Sequence, residues 1–390
     1  MPLHSPLPPF AATSGSNTPR IVLVGEAWGE GEVACRQPFV GESGKELWRM
    51  LGEAMPAVAP EAHGEVMARF RHGLEHPMHW RHARGAWLEA AGIAMTNVLA
   101  LRPPGNALEG LCGTKAEVGG AEYTLPTITK GKYLRGEYLA ELERLRAELA
   151  SWKPNLVVAL GNTACWAMLQ ATNIGSIRGN VTWGVFDQVK VLPTYHPAVV
   201  LRQWAWRPVV VADLMKAARE SEFPEIRRPD REILINPTIE EVQRWTVETL
   251  HEGPRPKMLA VDIETGAGMI KCIGFARSRS EALVVPFIDR GKPGWSYWDN
   301  AYDESRAWAC VEDLLESTIM KLFQNGLYDL QYICRHGIRP KALAHDTMLL
   351  HHSLFPELQK GLGFLGSIYT NEASWKLMRR QRADTEKRDE

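Results

Sequence analysis

Apolar positions in the first half of the chain fall in short, continuous, β-branched runs separated by stretches with helical spacing. "RIVLVG", "GIAMTNVLAL", "NLVVALG" and "VKVLPTYH" read as buried strands; "ESGKELWRMLGEAM", "YLAELERLRAELASW", "NTACWAMLQA" and "RPVVVADLMKAARE" read as helices. Strands covered on both faces lose the apolar-polar alternation, so this order predicts an α/β unit with a parallel central sheet. Past the polar, proline-bearing "SEFPEIRRPD" (221–230) a second alternation begins. "EILIN", "MLAVDIETG", "KCIGFARS" and "EALVVPF" read as strands, and "IEEVQRWTVETL", "SRAWACVEDLLE" and "GLYDLQYICRHG" as helices, the first opened by a capping box of Thr238 and Glu241. The implied organisation is a disordered arm over 1–19, a unit over 20–220, a linker over 221–230 and a second unit over 231–390, with no internal repeat.

Composition narrows the field. With 390 residues, each unit has enough chain to bury a core. The 45 basic and 46 acidic residues nearly cancel, so contact with a polyanion has to come from local patches rather than a global field. The start "MPLHSPLPPFAATSGSNTP" lacks the charged-then-apolar order of a signal peptide, and no 18-residue apolar window follows, which predicts a cytoplasmic protein without a membrane partner. Cys35, Cys112, Cys165, Cys272, Cys310 and Cys334 are scattered, with no Cys-x-x-Cys, as expected for reduced thiols. His63, His72, His76, His79 and His82 are spaced like metal ligands on a helix, but Pro77 interrupts the segment and no cysteine or carboxylate completes a ligand shell, so a surface insertion is expected.

The loop "GEAWGEGEVACRQPFVGESG" (25–44), directly after the first strand, carries the first candidate chemistry. A dinucleotide fingerprint requires glycines at its first, third and sixth positions; here these are Gly25, Ala27 and Glu30. A row of carboxylates also repels a phosphate, which argues against a nicotinamide-dependent oxidoreductase. An uncharged, planar, hydrogen-bonding guest suits the loop better.

Four segments, "GEAWGEGEVACRQPFVG", "TNVLALRPPGN", "LVVALGNTACWAML" and "VLPTYHPAVVLR", follow in order over about residues 20–205. Together they resemble the uracil-DNA glycosylase superfamily, most closely its family four branch. The resemblance implies a three-layer αβα fold around a parallel sheet, and hydrolysis of the N-glycosidic bond of uracil in DNA after the base is flipped into a pocket. It implies that Phe39 stacks on the uracil ring, that Asn97 pairs with N3–H and O4, and that His196 donates to O2 of the departing base. Glu26 matches a carboxylate that orients water or stabilises the oxocarbenium-like sugar. Glu32 matches a position near C5, where bulk excludes the methyl of thymine. Ala27, with Trp28, lies in the floor of the uracil-binding loop and departs from the residues common there, while Asn106 and Arg202 match positions that meet the DNA backbone. Family four normally holds a four-iron cluster on four cysteines. Here the arm has no cysteine and Leu101 precedes Arg102, leaving Cys112 alone, so no iron–sulfur cluster is expected.

In the second unit, Asp262 and Glu264 lie two apart on a strand and so share a face; Asp329 opens a helix in "FQNGLYDLQYI". These segments, over about 231–375, resemble the first two motifs of DnaQ-like 3'-5' exonucleases, especially the proofreading domain of family A DNA polymerases. The resemblance implies a ribonuclease H-like α/β domain in which Asp262, Glu264 and Asp329 bind Mg²⁺, with Asn325 and Asp346 nearby. The third motif, Tyr-x-x-x-Asp, is missing: neither Asp384 nor Asp389 has a tyrosine four residues earlier, so the domain looks truncated and weak or inactive. Such fusions resemble the N-terminal part of certain phage DNA polymerases, making DNA, and with it a polymerase domain or subunit, the expected partners. Two functions stay open at this point: a uracil-DNA glycosylase, or a non-catalytic module that binds uracil or template DNA.

Overall fold

The computed structural model describes residues 7–71, 81–186 and 188–372. His72, His76 and His79, the side chain of His82, and the charged tail with Asp384 and Asp389 lie outside the described residues. The chain divides into two compact units, one formed by Met1–Arg227 with Gly363–Glu390 and the other by Arg228–Leu362.

The first unit contains strands β1 (Ser14–Gly15), β2 (Ile21–Ala27), β3 (Ile93–Leu99), β4 (Cys112–Gly113), β5 (Tyr133–Leu134), β6 (Leu156–Leu160), β7 (Thr182–Trp183) and β8 (Lys190–Thr194). Its helices are α1 (Glu30–Cys35), α2 (Glu42–Ala54), α3 (Pro60–Arg71), α4 (Arg81–Ala91), α5 (Ala140–Trp152), α6 (Gly161–Leu169), α7 (Ile174–Ile177), α8 (Pro197–Arg202) and α9 (Arg207–Glu220). Six strands make one sheet in the order β1-β3-β2-β6-β8-β7. Its four central strands run parallel and the two short edge strands antiparallel. Alternate residues of the parallel strands feed opposite faces. Ile21, Leu23, Ile93 and Met95 pack with α2, α4 and α9 on one side, and Val22, Val24, Ala94 and Val98 with α5 and α6 on the other. This is the three-layer arrangement that the unbroken apolar runs require.

Two expectations change. The arm expected to be disordered is folded from Leu7 onward: Phe10 packs edge-on against Trp152 at 5.3 Å, Ala12 is buried, and β1 pairs with β3. Burial of apolar side chains there offsets the cost of ordering the chain. In α5 the charged residues Glu141, Arg144 and Glu148 face inward. Arg144 donates to Glu141 (2.9 Å), to Glu148 (2.7 Å) and to the backbone carbonyls of Asn97 (2.6 Å) and Val98 (3.2 Å). Thr96 donates to Glu148 at 2.8 Å, and the Ala100 N–H to Glu141 at 2.9 Å. A hydrophobicity pattern reads such a face as solvated; here paired charges clamp the end of β3.

The second unit holds β9 (Glu232–Leu234), β10 (Met258–Gly266), β11 (Met269–Ala276), β12 (Glu281–Pro286), β13 (Met320–Phe323) and β14 (Leu343–Asp346) in one sheet ordered β14-β13-β10-β11-β12-β9. Strands β10 to β12 form an antiparallel meander, while β13 and β14 run parallel to β10. Helices α10 (Ile239–Val247), α11 (Ala301–Glu316), α12 (Gly326–Arg335) and α13 (Thr347–Leu354) accompany them, with both capping-box bonds of Thr238 and Glu241 formed. Helix α14 (Leu362–Tyr369) falls almost wholly to the first unit, although the second was expected to run to residue 390. Lys216 there donates to the Thr370 carbonyl at 2.7 Å and Arg178 to the Ser367 hydroxyl at 2.9 Å, so buried cations hold the C-terminal turn of α14.

Candidate active site

The carboxyl ends of β2, β3, β6 and β8 meet at one rim of the first sheet, where parallel sheets place their ligand sites. A cavity of about 150 Å³ opens there, lined by Glu26, Ala27, Trp28, Gly29, Glu32, Phe39, Ser43, Asn97, Pro103, Asn106 and His196. Seven of the eight residues expected in the first unit therefore converge on it: Glu26, Ala27, Glu32, Phe39, Asn97, Asn106 and His196. Arg202 stands apart on the last turn of α8, exposed, and acts on the site through its charge.

Phe39 and His196 face each other with ring centroids 6.4 Å apart and planes inclined by 29°. Phe39 is buried and holds a left-handed backbone (φ 57°), a conformation that non-glycine residues rarely adopt and that the surroundings must enforce. Glu32 enforces it: one carboxylate oxygen accepts from the Phe39 N–H and the other from the Gly29 N–H at 2.6 Å. Burial raises the Glu32 pKa, opposed by these two N–H groups, by Asn97 and by the buried Arg84 guanidinium. Glu32, expected near C5 of the base, lines the cavity, and its oxygens also shape the loop that presents Phe39.

Asn97 is 2% exposed, and its side-chain amide is a hydrogen-bonding partner of the Glu32 carboxylate, whose pKa it lowers. Space for Asn97 and Phe39 depends on Gly25, where a Cβ would lie 2.1 Å from Asn97 Oδ1 and 2.6 Å from Phe39 Cζ.

His196 is the N-cap of α8, with Pro197 at the first helical position, and its Nδ1 accepts from the Ala198 N–H at 3.2 Å. An accepting Nδ1 leaves the proton of the neutral ring on Nε2. Burial, and secondarily the Arg202 charge, push the His196 pKa down to about 4, so the ring is a neutral Nε2–H donor at physiological pH. Glu26, the penultimate residue of β2, is half-buried and accepts from the Thr163 hydroxyl at 2.6 Å. Asn106, exposed at the rim in a left-handed conformation (φ 59°), accepts from Arg102 at 3.0 Å.

The family model described as the uracil DNA glycosylase superfamily matches residues 12–218. The chain belongs to this superfamily. It is 27% identical to the type-4 uracil-DNA glycosylase of Archaeoglobus fulgidus over 233 residues, 57% of this chain and 83% of the relative. It is 24% identical to that of Saccharolobus solfataricus over 209 residues, 52% and 71% of the two chains. The type-4 uracil-DNA glycosylase of Thermotoga maritima is 26% identical over 221 residues, 55% and 85%. The superfamily match lies within the first unit, where the cavity is.

Reading by motif missed Gly25, Thr163 and the Arg144 cluster. Gly25 and Thr163 stand inside quoted segments, but their task shows only when β2 and α6 are brought together. Leu201 and Trp204, 48% and 63% exposed, bracket Arg202 along the chain and have no role that the motifs name.

In the second unit, Asp262 and Glu264 are exposed on one side of β10, as the spacing predicts, and Asp329 is buried. Asp329 accepts from the Ile263 N–H at 3.0 Å; burial first, then the Asp262 and Asp346 charges, raise its pKa to about 6. Asp346 accepts from the N–H groups of Asn325 (3.1 Å), Gly326 (2.8 Å) and Met348 (2.8 Å), which makes it a brace between β14 and the turn before α12. Among the described residues no three His, Cys, Asp or Glu side chains converge to hold a metal ion. No helix among the described residues is long and apolar enough to cross a membrane.

Proposed function

We propose that the first unit hydrolyses the N-glycosidic bond of uracil in DNA. The observation that carries this reading is the conjunction, in one cavity, of the buried Asn97 amide, the Phe39 ring and a neutral Nε2–H donor on His196. Uracil presents N3–H and O4 side by side, the complement of an amide's acceptor and donor; cytosine presents the reverse. Phe39 offers a ring face on which the flipped base stacks.

In the reaction the C1′–N1 bond breaks and its electron pair moves onto the base, where it spreads over O2 and O4. The His196 Nε2–H, which pays no cost of reorganisation because Ala198 already fixes the ring, stabilises the charge on O2. Water adds its oxygen to C1′, guided by the Glu26 carboxylate, and its proton passes through that carboxylate to the departing base. Leu201 and Trp204 supply exposed apolar side chains suited to filling the gap that a flipped nucleotide leaves, and Arg202 between them suits a phosphate.

For the second unit, the sheet order and the shared face of Asp262 and Glu264 support the ribonuclease H-like reading of its fold. One oxygen of Asp329 accepts from the Ile263 N–H, and Asp346 braces the turn before α12. The test of the main reading is excision from a uracil-containing oligonucleotide by the wild type and by His196→Ala. The variant is expected to lose roughly 10²-fold or more in rate while still binding DNA. DNA binding with no excision by the wild type would favour a non-catalytic uracil-binding module instead.

A further inference from the structure

We propose that Thr163 is a positioning residue for Glu26, its hydroxyl fixing the one orientation in which that carboxylate addresses the water. This rests on the glycosylase reading and adds to it a residue of α6 that does not touch the base. Thr163 is the third residue of α6 and 2% exposed. Its Oγ1 lies 2.6 Å from Glu26 Oε2 across 137 residues of sequence. Among the described residues it supplies the only hydrogen bond to the Glu26 carboxylate.

An ionised carboxylate only accepts, so the hydroxyl proton is committed to Oε2, and Oε1 accepts no hydrogen bond among the described residues. Without that bond, a half-buried glutamate with three side-chain torsions has several staggered rotamers open to it, few of which point at the base. The helix is placed for this task by Gly161, in a left-handed conformation (φ 86°) directly after β6. A Cβ on Gly161 would sit 2.9 Å from the Cβ of His196. One turn therefore sets Thr163 against Glu26 and leaves room for His196, coupling the placement of the group that handles water to that of the group that handles the leaving base.

A carboxylate that acts in the transition state, and not on the bound base, loses kcat without KM when it is misaligned. The experiment measures both constants on a uracil-containing oligonucleotide for the wild type, Thr163→Val, Thr163→Ser, Glu26→Gln and the Thr163→Val/Glu26→Gln double variant. Thr163→Val, which keeps the shape and removes the hydroxyl, is expected to lower kcat roughly 10- to 100-fold with KM changed by less than about twofold. Thr163→Ser restores the donor and should recover to within about threefold of the wild type. In the Glu26→Gln background, Thr163→Val should add less than about twofold, because the group it positions is gone. Equal costs in both backgrounds, a change confined to KM, or a serine variant as slow as the valine would each overturn the proposal. Should Thr163→Val fail to fold, as judged by its melting curve, Thr163→Ala takes its place in the same cycle. A wild type that releases no uracil overturns the glycosylase reading and the role of Thr163 with it, an outcome distinct from an active enzyme with additive costs.

Discussion

His196 is predicted to stay neutral far below the pH at which an ordinary histidine charges. Its value of about 4 against 6.5 corresponds to about 3 kcal/mol against placing a proton on the ring, most of it from burial and the rest from the Arg202 charge. At pH 6.5, where a free imidazole is half protonated, less than about 1% of His196 carries the charge. The assay is a titration by nuclear magnetic resonance of protein labelled at the histidine ring carbons, with the His196 signal assigned by its loss in His196→Asn. Asparagine retains an acceptor for the Ala198 N–H and serves as a helix N-cap, so the variant should fold. The signal should move with a midpoint near 4, its shifts should report the proton on Nε2, and Arg202→Gln should raise the midpoint by a fraction of a unit. The sign of the linked stability follows. The folded value lies below the unfolded one, so the unfolded chain takes up the proton first; the cost is absent above about pH 6.5 and grows as pH falls towards 4. Wild type should therefore lose more stability than His196→Asn across that window. A midpoint near 6.5, or a proton on Nδ1, would refute the neutral-donor account.

Gly25→Ala should abolish uracil release, at least roughly 10²-fold, because its methyl would occupy the space of Asn97 Oδ1 and Phe39 Cζ; excision assays check it. Asn97→Asp should weaken discrimination against cytosine, since a buried carboxyl that carries a proton reverses part of the hydrogen-bonding pattern; parallel assays on uracil and cytosine oligonucleotides decide this. Purified protein should be colourless and free of stoichiometric iron by elemental analysis: Cys112, the one cysteine in the insertion after Arg102 where cluster ligands were expected, is buried and donates to the Leu108 carbonyl at 3.3 Å.

The parallel sheet and the cavity were legible in the sequence because both rest on local signals. Four unbroken apolar runs define the buried strands, and Glu26, Asn97 and His196 each stand at or just beyond the end of one, where the topology gathers them. Long-range polar contacts have no such signal. Arg144 reaches the carbonyl of Asn97 across 47 residues and Thr163 reaches Glu26 across 137, and in one dimension both look like ordinary helix residues. Glu32 lines the cavity as its place in the motif implies, but no local signal shows that its oxygens also hold the backbone N–H groups of Gly29 and Phe39. In the second unit, Asp262 and Glu264 share the face that a period of two requires. Which backbone N–H groups claim the oxygens of Asp329 and Asp346 is set by the tertiary fold, and no spacing encodes that.

The most direct measurement is of the base itself. Protein is incubated with a single-stranded and a double-stranded oligonucleotide holding one uracil, the free base is identified by mass spectrometry, and the strand is treated with hot alkali. The account predicts free uracil and a break at the uracil position, with none in matched strands carrying thymine or cytosine, and loss of both signals in His196→Ala. Intact strands and no free base with either substrate, from protein that is folded and binds the DNA, would contradict it.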